Sequence, residues 1–341
     1  MESIAVIGAG SWGTALSVVL AENCRRVMLW ARREELCQEI RDKRENAVYL
    51  PGVRLPENVA VTSDLEEAVA GKDALVLVVP SHTVREIAKM IAPLLTNCPI
   101  VVNCAKGIEE ETYCRMSEIL KQELPQCELA VLSGPNHAEE VGRKVPSATV
   151  VSAGNRKVAE AVQDLFMTQR LRVYTNPDMV GVELGGALKN VIALAAGISD
   201  GLGFGDNTKA AIVTRGLSEM GRLGIRMGAD VLTFAGLAGI GDLMVTCTSE
   251  HSRNRKLGLE LGRGRKLSAI LPGMRMVAEG VRTTRAARQL GRKYGVEMPI
   301  TEQVYEVLFN EKDPHHAVVD LLRREKTHEV EEVVSSRLKC W

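Results

Sequence analysis

Aromatic side chains are scarce in this 341-residue sequence, at 4%, so aliphatic residues must fill most of any core. An excess of one charge is also missing: 43 Lys and Arg balance 43 Asp and Glu, which argues against a basic surface built to wrap nucleic acid. No uninterrupted run of about 18 or more apolar residues occurs, so no membrane span is expected. An apolar run begins almost at once, with no basic region before it and no cleavage site after it, so no signal peptide is expected either. The eight cysteines form no CxxC pair and no metal-ligand spacing, and His82, His137, His251, His315 and His316 add none. Reduced, buried thiols, no metal and a cytoplasmic location are the reading. What is present is ordinary for a folded protein, 45% hydrophobic and 25% charged, at a length suited to two domains.

The first half alternates short apolar runs with amphipathic stretches. Ile4 to Ile7 reads as a strand, residues 13–22 as a helix, Val27 to Trp30 as a second strand, and a charged helix follows from about Arg33. Ala74 to Val79 and Ile100 to Asn103 are continuous apolar runs, as in parallel strands covered on both faces. Further strands are expected over 129–132, 148–152 and 171–174. This alternation implies βαβ units and a doubly wound α/β sheet. After Asn176-Pro177-Asp178, Ala/Leu/Gly-rich helical segments take over. The domains expected are 1–178, binding a dinucleotide, and 179–325, all helical and carrying substrate, with a tail over 326–341.

Gly8-Ala9-Gly10-Ser11-Trp12-Gly13 is a GxGxxG directly after the first strand and at the head of a helix. In that context Gly8 permits a tight turn, Gly10 the close approach of a pyrophosphate, and Gly13 close helix–sheet packing. Arg32 and Arg33 follow the second strand, where an NAD-selective site places a carboxylate on the ribose hydroxyls. Guanidinium groups can pair with a 2′-phosphate, so NADP(H) is favoured and NAD(H) remains possible.

Lys106 emerges at the C-terminal end of a strand, where open α/β sheets bind ligands. Ser133-Gly134-Pro135-Asn136 follows another strand, with small residues that admit a ligand. Lys189 lies among Ala, Leu, Val and Ile on a helix, where an amine is costly to bury without a partner and suited to proton transfer. Asp242, a lone acid in a glycine-rich apolar stretch, could be that partner. Ser252, Arg253 and Asn254 offer hydroxyl, guanidinium and amide donors to a phosphate monoester.

These blocks together (GAGSWGTAL, LWARR, NCAKGIE, SGPNHAEEV, ELGGALKNVIALAAGISDGLGFGDNTKAAIVTRGL, GIGDLMVTCTSEHSRNRKLG and VAEGV) resemble the bacterial type of NAD(P)-dependent glycerol-3-phosphate dehydrogenase. The resemblance implies a Rossmann-like first domain, an all-α second domain similar to that of 6-phosphogluconate dehydrogenase, a homodimer, and reduction of dihydroxyacetone phosphate to sn-glycerol 3-phosphate for phospholipid synthesis. It implies that Ser11, Trp12, Arg32, Arg33 and Tyr49 line the dinucleotide site and that Lys106 touches cofactor and substrate. Gly134, Asn136 and Ala138 would border the site, Ala138 on the cofactor side. Lys189 would be the acid/base residue. Asp242, Ser252, Arg253 and Asn254 would complete the substrate site, with Arg253 near the cofactor, and Val277 and Glu279 would close over the nicotinamide end. Asn136-His137 replaces the Ser/Thr-Phe pair of many members, and the tail extends past the family's usual end. The competing readings are another two-domain β-hydroxyacid-type dehydrogenase, which would lack the Ser252–Asn254 set, and a non-catalytic dinucleotide sensor, which would have no need of Lys106, Lys189 and Asp242 together.

Overall fold

The computed structural model describes residues 1–274 and 278–326. Val277 and, apart from Lys326, the 326–341 tail lie outside the described residues. The chain divides into two compact units, one of Met1–Lys106 with Cys114–Met179, the other of Gly107–Tyr113 with the residues from Val180 onward. The short excursion after Lys106 is invisible in the residue pattern, yet Ile108 belongs to the helical core.

The first unit is built on eight strands: β1 (Ser3–Ile7), β2 (Arg26–Trp30), β3 (Val59–Thr62), β4 (Ala74–Leu77), β5 (Ile100–Asn103), β6 (Leu129–Ser133), β7 (Ser147–Ala153) and β8 (Leu171–Asn176). Their order is β3-β2-β1-β4-β5-β6-β7-β8. The first six are parallel, in the order of doubly wound dinucleotide folds. All four residues of β4 are buried, as a strand covered on both faces requires. Alternate residues of β1 serve opposite cores: Ile4 and Val6 pack on one face with Leu16 and Leu20, while Ala5 and Ile7 pack on the other with Ile87 and Ile119. This is an α/β, Rossmann-like sheet. Two details differ from the sequence expectation. β3, a short Val-Ala-Val-Thr run, is not among the strands expected. β7 runs antiparallel to β6, because the connection between them carries only the five-residue helix Ala138–Gly142 and does not recross the sheet.

The second unit is helical. Its central helix, Met179–Gly201, is buried at nearly every residue from Gly181 to Ser199. By length and composition this helix could cross a membrane, and so could Val231–Thr248. The count of uninterrupted apolar residues passes over the first because Glu183, Lys189 and Asn190 interrupt it. Burial of 83% of its most apolar window identifies it as a core helix. The second stretch is broken at Gly239, whose φ of −96° and ψ of −106° are not helical.

Glycines set how closely these helices approach. A Cβ on Gly197 would lie 2.1 Å from the Arg255 carbonyl oxygen, and one on Gly258 would lie 2.2 Å from that of Leu194. Gly201 and Gly262 make the same kind of approach, so Met179–Gly201 and the helix Arg253–Gly262 touch backbone to backbone. Asp200 binds them further, pairing with Arg255 at 2.7 Å and with Lys209 at 2.8 Å.

All seven described cysteines are free. Five are buried as expected, but Cys98 is exposed and Cys114 half-buried.

Overpacking at a closed contact costs about 1–3 kcal/mol. Gly197→Ala should therefore lower Tm by roughly 2–10 °C. Gly221 lies in the helix Asp206–Arg226 and has nothing within 4 Å of a built Cβ, so Gly221→Ala should raise stability by about 0.5–1 kcal/mol. Differential scanning calorimetry of the two variants checks the contrast; equal shifts would mean that the helix crossing does not depend on the missing side chain.

Candidate active site

The glycines after β1 have three different physical reasons. Gly8 has a φ of +119°, and its Cβ would meet the Val78 carbonyl oxygen at 2.6 Å. A Cβ on Gly13 would lie 1.9 Å from the Gly8 carbonyl oxygen, so any side chain there would force the helix off the strand. Gly10 has nothing within 4 Å of where its Cβ would be. Space is thus kept beside the N-terminus of the helix Ser11–Asn23, which has no side-chain cap and no acid in its first turn. Uncapped N–H groups and a positive dipole end suit a phosphate there.

Asn46 holds this loop. It is fully buried, and its Nδ2 donates to the Ala9 carbonyl at 2.9 Å and to Thr14 Oγ1 at 2.8 Å. The Thr14 hydroxyl in turn donates to the Gly10 carbonyl at 2.8 Å. Nothing in the sequence singles out Asn46, which stands in a polar connection and becomes a buried strut only through a contact with residues more than thirty positions away.

Past the end of β2, Arg32 and Arg33 are exposed, and Arg33 Nη2 donates to the Tyr49 hydroxyl at 3.3 Å. Glu34, the nearest carboxylate, is turned to Ser63 and Arg41, which hold its carboxyl below the usual carboxylate range. The strand end therefore presents guanidinium groups. Ser11 is buried and Trp12 half-buried against the core.

Lys106 Nζ donates to the Gly134 carbonyl at 2.9 Å, which brings two of the predicted residues together. Gly134 has a φ of +136°, and its Cβ would press on Thr149 Cα at 3.2 Å. Asn136 is tied into β7, donating to the Ala148 carbonyl at 3.4 Å and accepting from Thr149 Oγ1 at 3.2 Å. That side chain serves the loop. Ala138, buried, opens the Ala138–Gly142 helix.

In the helical unit, Lys189 is 7% exposed and Asp242 is 1% exposed. The Lys189 ammonium donates to Asp242 Oδ1 and, at 2.8 Å, to Thr246 Oγ1. The Thr246 hydroxyl donates to the Asp242 carbonyl at 2.6 Å. Asp242 is the first residue of the helix Asp242–Thr248, where the dipole favours its charge. It reaches Lys189 because the turn Leu237–Gly241 packs directly on the central helix, with a Cβ on Gly185 only 2.4 Å from the Ala238 carbonyl oxygen. Burial pushes the adjacent Cys247 thiol up to about 12. Thr246 was missed at the sequence level. Its spacing of four from Asp242, which puts both on one helix face, was the signal available.

The neighbouring Asn190 begins a chain of amides. Asn254 Nδ2 donates to Asn190 Oδ1 at 2.9 Å, and the Gly280 N–H donates to Asn254 Oδ1 at 3.0 Å. Asn254 thereby fixes the start of the helix Glu279–Tyr294, whose first residue is Glu279. Ser252, buried, caps the helix Arg253–Gly262 by accepting from the Arg255 N–H at 3.2 Å. Arg253 is exposed at the head of that helix. Ser252 and Asn254 thus carry structural duties that their grouping as donors did not foretell.

The pattern can be compared with known proteins. A family description for the NAD-dependent glycerol-3-phosphate dehydrogenase N-terminus matches residues 3–159, and one for the C-terminus matches residues 178–319. The chain is 55% identical to glycerol-3-phosphate dehydrogenase [NAD(P)+] of Bacillus velezensis, covering 98% of each chain. It is 57% identical to the enzyme of the same name from Moorella thermoacetica, covering 97% of this chain and 98% of that one. The crystal structure of glycerol-3-phosphate dehydrogenase from Coxiella burnetii superposes with a TM-score of 0.91 at 39% identity, covering 95% of this chain and 99% of that one. A match over 98% of the chain leaves too little outside it for the whole 326–341 stretch to be an extension beyond such relatives.

Removing the Asn46 amide leaves buried acceptors without their donor, a loss of about 1–3 kcal/mol. Asn46→Ala should weaken dinucleotide binding roughly 5- to 100-fold by fluorescence titration. Unchanged affinity would show that the loop holds its shape without the strut.

Proposed function

Since this chain belongs to the NAD-dependent glycerol-3-phosphate dehydrogenase family, we propose that Lys189 is the residue that exchanges the substrate proton in its reaction. The chain is an oxidoreductase that uses NAD(P) to interconvert dihydroxyacetone phosphate and sn-glycerol 3-phosphate. We read residues 1–178 as its dinucleotide-binding domain and 179–325 as its catalytic domain.

The observation that carries the proposal is an ammonium buried in an apolar helix, with a carboxylate and a hydroxyl among its partners. Bound NAD(P)H supplies a hydride to C2 of dihydroxyacetone phosphate. Lys189 gives a proton to the C2 oxygen as negative charge develops there, and takes it back in the reverse direction. Asp242 keeps the amine aimed. Thr246 fixes a second direction of the Nζ group. Ser252, Arg253 and Asn254, at the N-terminus of a ten-residue helix, hold the substrate phosphate through dipole, guanidinium and amide. Binding energy from the phosphate then goes into orienting the carbonyl.

Gly8, Gly10, Ser11, Trp12 and Gly13 hold the dinucleotide, the open space at Gly10 being the fit for its pyrophosphate. Arg32, Arg33 and Tyr49 take the adenosine end, and with Glu34 already engaged this favours NADPH over NADH. Lys106 and Gly134 border the reacting end, with Asn136 supporting their loop. Ala138, Arg253, Val277 and Glu279 contribute to cofactor binding. The product is a phospholipid backbone, and its supply for that synthesis is the role proposed. The assembly proposed is a homodimer in the cytoplasm, where free thiols such as the exposed Cys98 persist.

Loss of a positioned proton donor costs roughly 10²–10⁴ in rate. Lys189→Ala should lower kcat by that factor while NADPH still binds, as stopped-flow and equilibrium titration together can show; near-normal turnover would refute the role. Charged hydrogen bonds are worth about 1.5–3 kcal/mol. The double change Arg32→Ala, Arg33→Ala should therefore raise KM for NADPH roughly tenfold to a hundredfold and leave KM for NADH little changed. An equal loss for both cofactors would place the arginines away from the 2′-phosphate.

A further inference from the structure

The head of the helix Arg253–Gly262 rests on the central helix at Gly197, where a Cβ would lie 2.1 Å from the Arg255 carbonyl oxygen. A contact at one point leaves a helix free to pivot about it. Two side chains from the head prevent this, one on each side of Gly197 along the central helix. Asn254 Nδ2 donates to Asn190 Oδ1 at 2.9 Å, and Arg255 Nε donates to Asp200 Oδ2 at 2.7 Å. Those two anchors stand about 15 Å apart along the helix axis, so together they fix the angle of the head as well as its place.

The Asp200 anchor is itself held. Arg255 Nη2 also lies 2.7 Å from Asp200 Oδ2, while Asp200 Oδ1 meets Lys209 at 2.8 Å, in the first turn of the helix Asp206–Arg226. The Asp200 side chain is 10% exposed and that of Arg255 is 19% exposed, so water and salt screen the pair less than an open surface pair. The backbone N–H of Arg255 donates to Ser252 Oγ, which puts both ends of this residue to use at the helix start.

We propose that Asp200 is a positioning residue for phosphate recognition. By holding Arg255 it aims the head of the helix, and with it Arg253 and the uncompensated N–H groups, at the substrate phosphate. This rests on the reading of Ser252, Arg253 and Asn254 as the phosphate site. Asp200 acts through the helix and does not touch substrate. Its effect is therefore confined to substrates that carry a phosphate.

Steady-state kinetics with dihydroxyacetone phosphate, set beside dihydroxyacetone, which lacks the phosphate, tests the inference. Asp200→Asn keeps the size and removes the charge. It should lower kcat/KM for dihydroxyacetone phosphate roughly tenfold, mainly through KM, and leave kcat/KM for dihydroxyacetone near the wild-type value. Arg255→Gln leaves Asp200 its pair with Lys209 and should give the same selective loss, with the double variant no worse than either alone. Equal losses on both substrates would reduce Asp200 to a general structural prop and overturn the proposal. Tighter binding of dihydroxyacetone phosphate to Asp200→Asn would overturn it too, because Asp200 would then be competing with the phosphate for Arg255. Arg253→Ala separates this from the reading beneath it: if that variant loses dihydroxyacetone phosphate and Asp200→Asn does not, the positioning role fails alone, whereas an Arg253→Ala enzyme that keeps its KM would remove the phosphate site and the proposal with it.

Discussion

The helical unit is arranged around one ion pair. An ammonium surrounded by Ala, Leu and Val costs several kcal/mol unless a carboxylate meets it, and removing one partner of a buried pair costs about 3–5 kcal/mol. Lys189 therefore obliges the fold to deliver Asp242, and the surrounding glycines exist to make that delivery possible. Gly185 lets the turn Leu237–Gly241 lie on the central helix, and Gly239 lets that turn break away from helical geometry. Thr246, one helical turn beyond Asp242, is then carried to the amine by the same short helix.

The amide chain from Asn190 through Asn254 to Gly280 ties the neighbouring residue of the same helix to two further helices. The backbone contacts of Gly197 and Gly258 keep the Ser252–Asn254 corner in register with Lys189 along the central helix. The first unit uses a different economy of parts: a loop with room for phosphate, supported from behind by one buried asparagine, and a strand end whose acid has been turned aside. In both units the groups with chemical potential are few, and most of the polar side chains near them serve to hold backbone.

Much of this was legible in the residues. Continuous apolar runs announce parallel strands because both faces are covered, and GxGxxG at a strand–helix junction has few uses besides a dinucleotide. Lys189 stood out because a lysine in an apolar helix needs a reason. Other features were not legible, because they depend on contacts between distant residues. Asn46 looks like any loop asparagine until it is seen beneath Ala9 and Thr14. The antiparallel turn at β7 depends on a connection too short to recross the sheet. Ser252 reads as a phosphate donor and is also a helix cap; Asn136 reads as a ligand contact and is bound to β7. In each case the residue type was informative about hydrogen bonding, and only the fold decides the partner.

The central claim is that the amine of Lys189 moves the proton. Chemical rescue tests it most directly, by supplying methylamine to the Lys189→Ala variant and following turnover of dihydroxyacetone phosphate. Turnover should rise in proportion to the added protonated amine and fall away for amines too bulky for the vacated space. A variant that turns over at the wild-type rate without any amine would contradict the account.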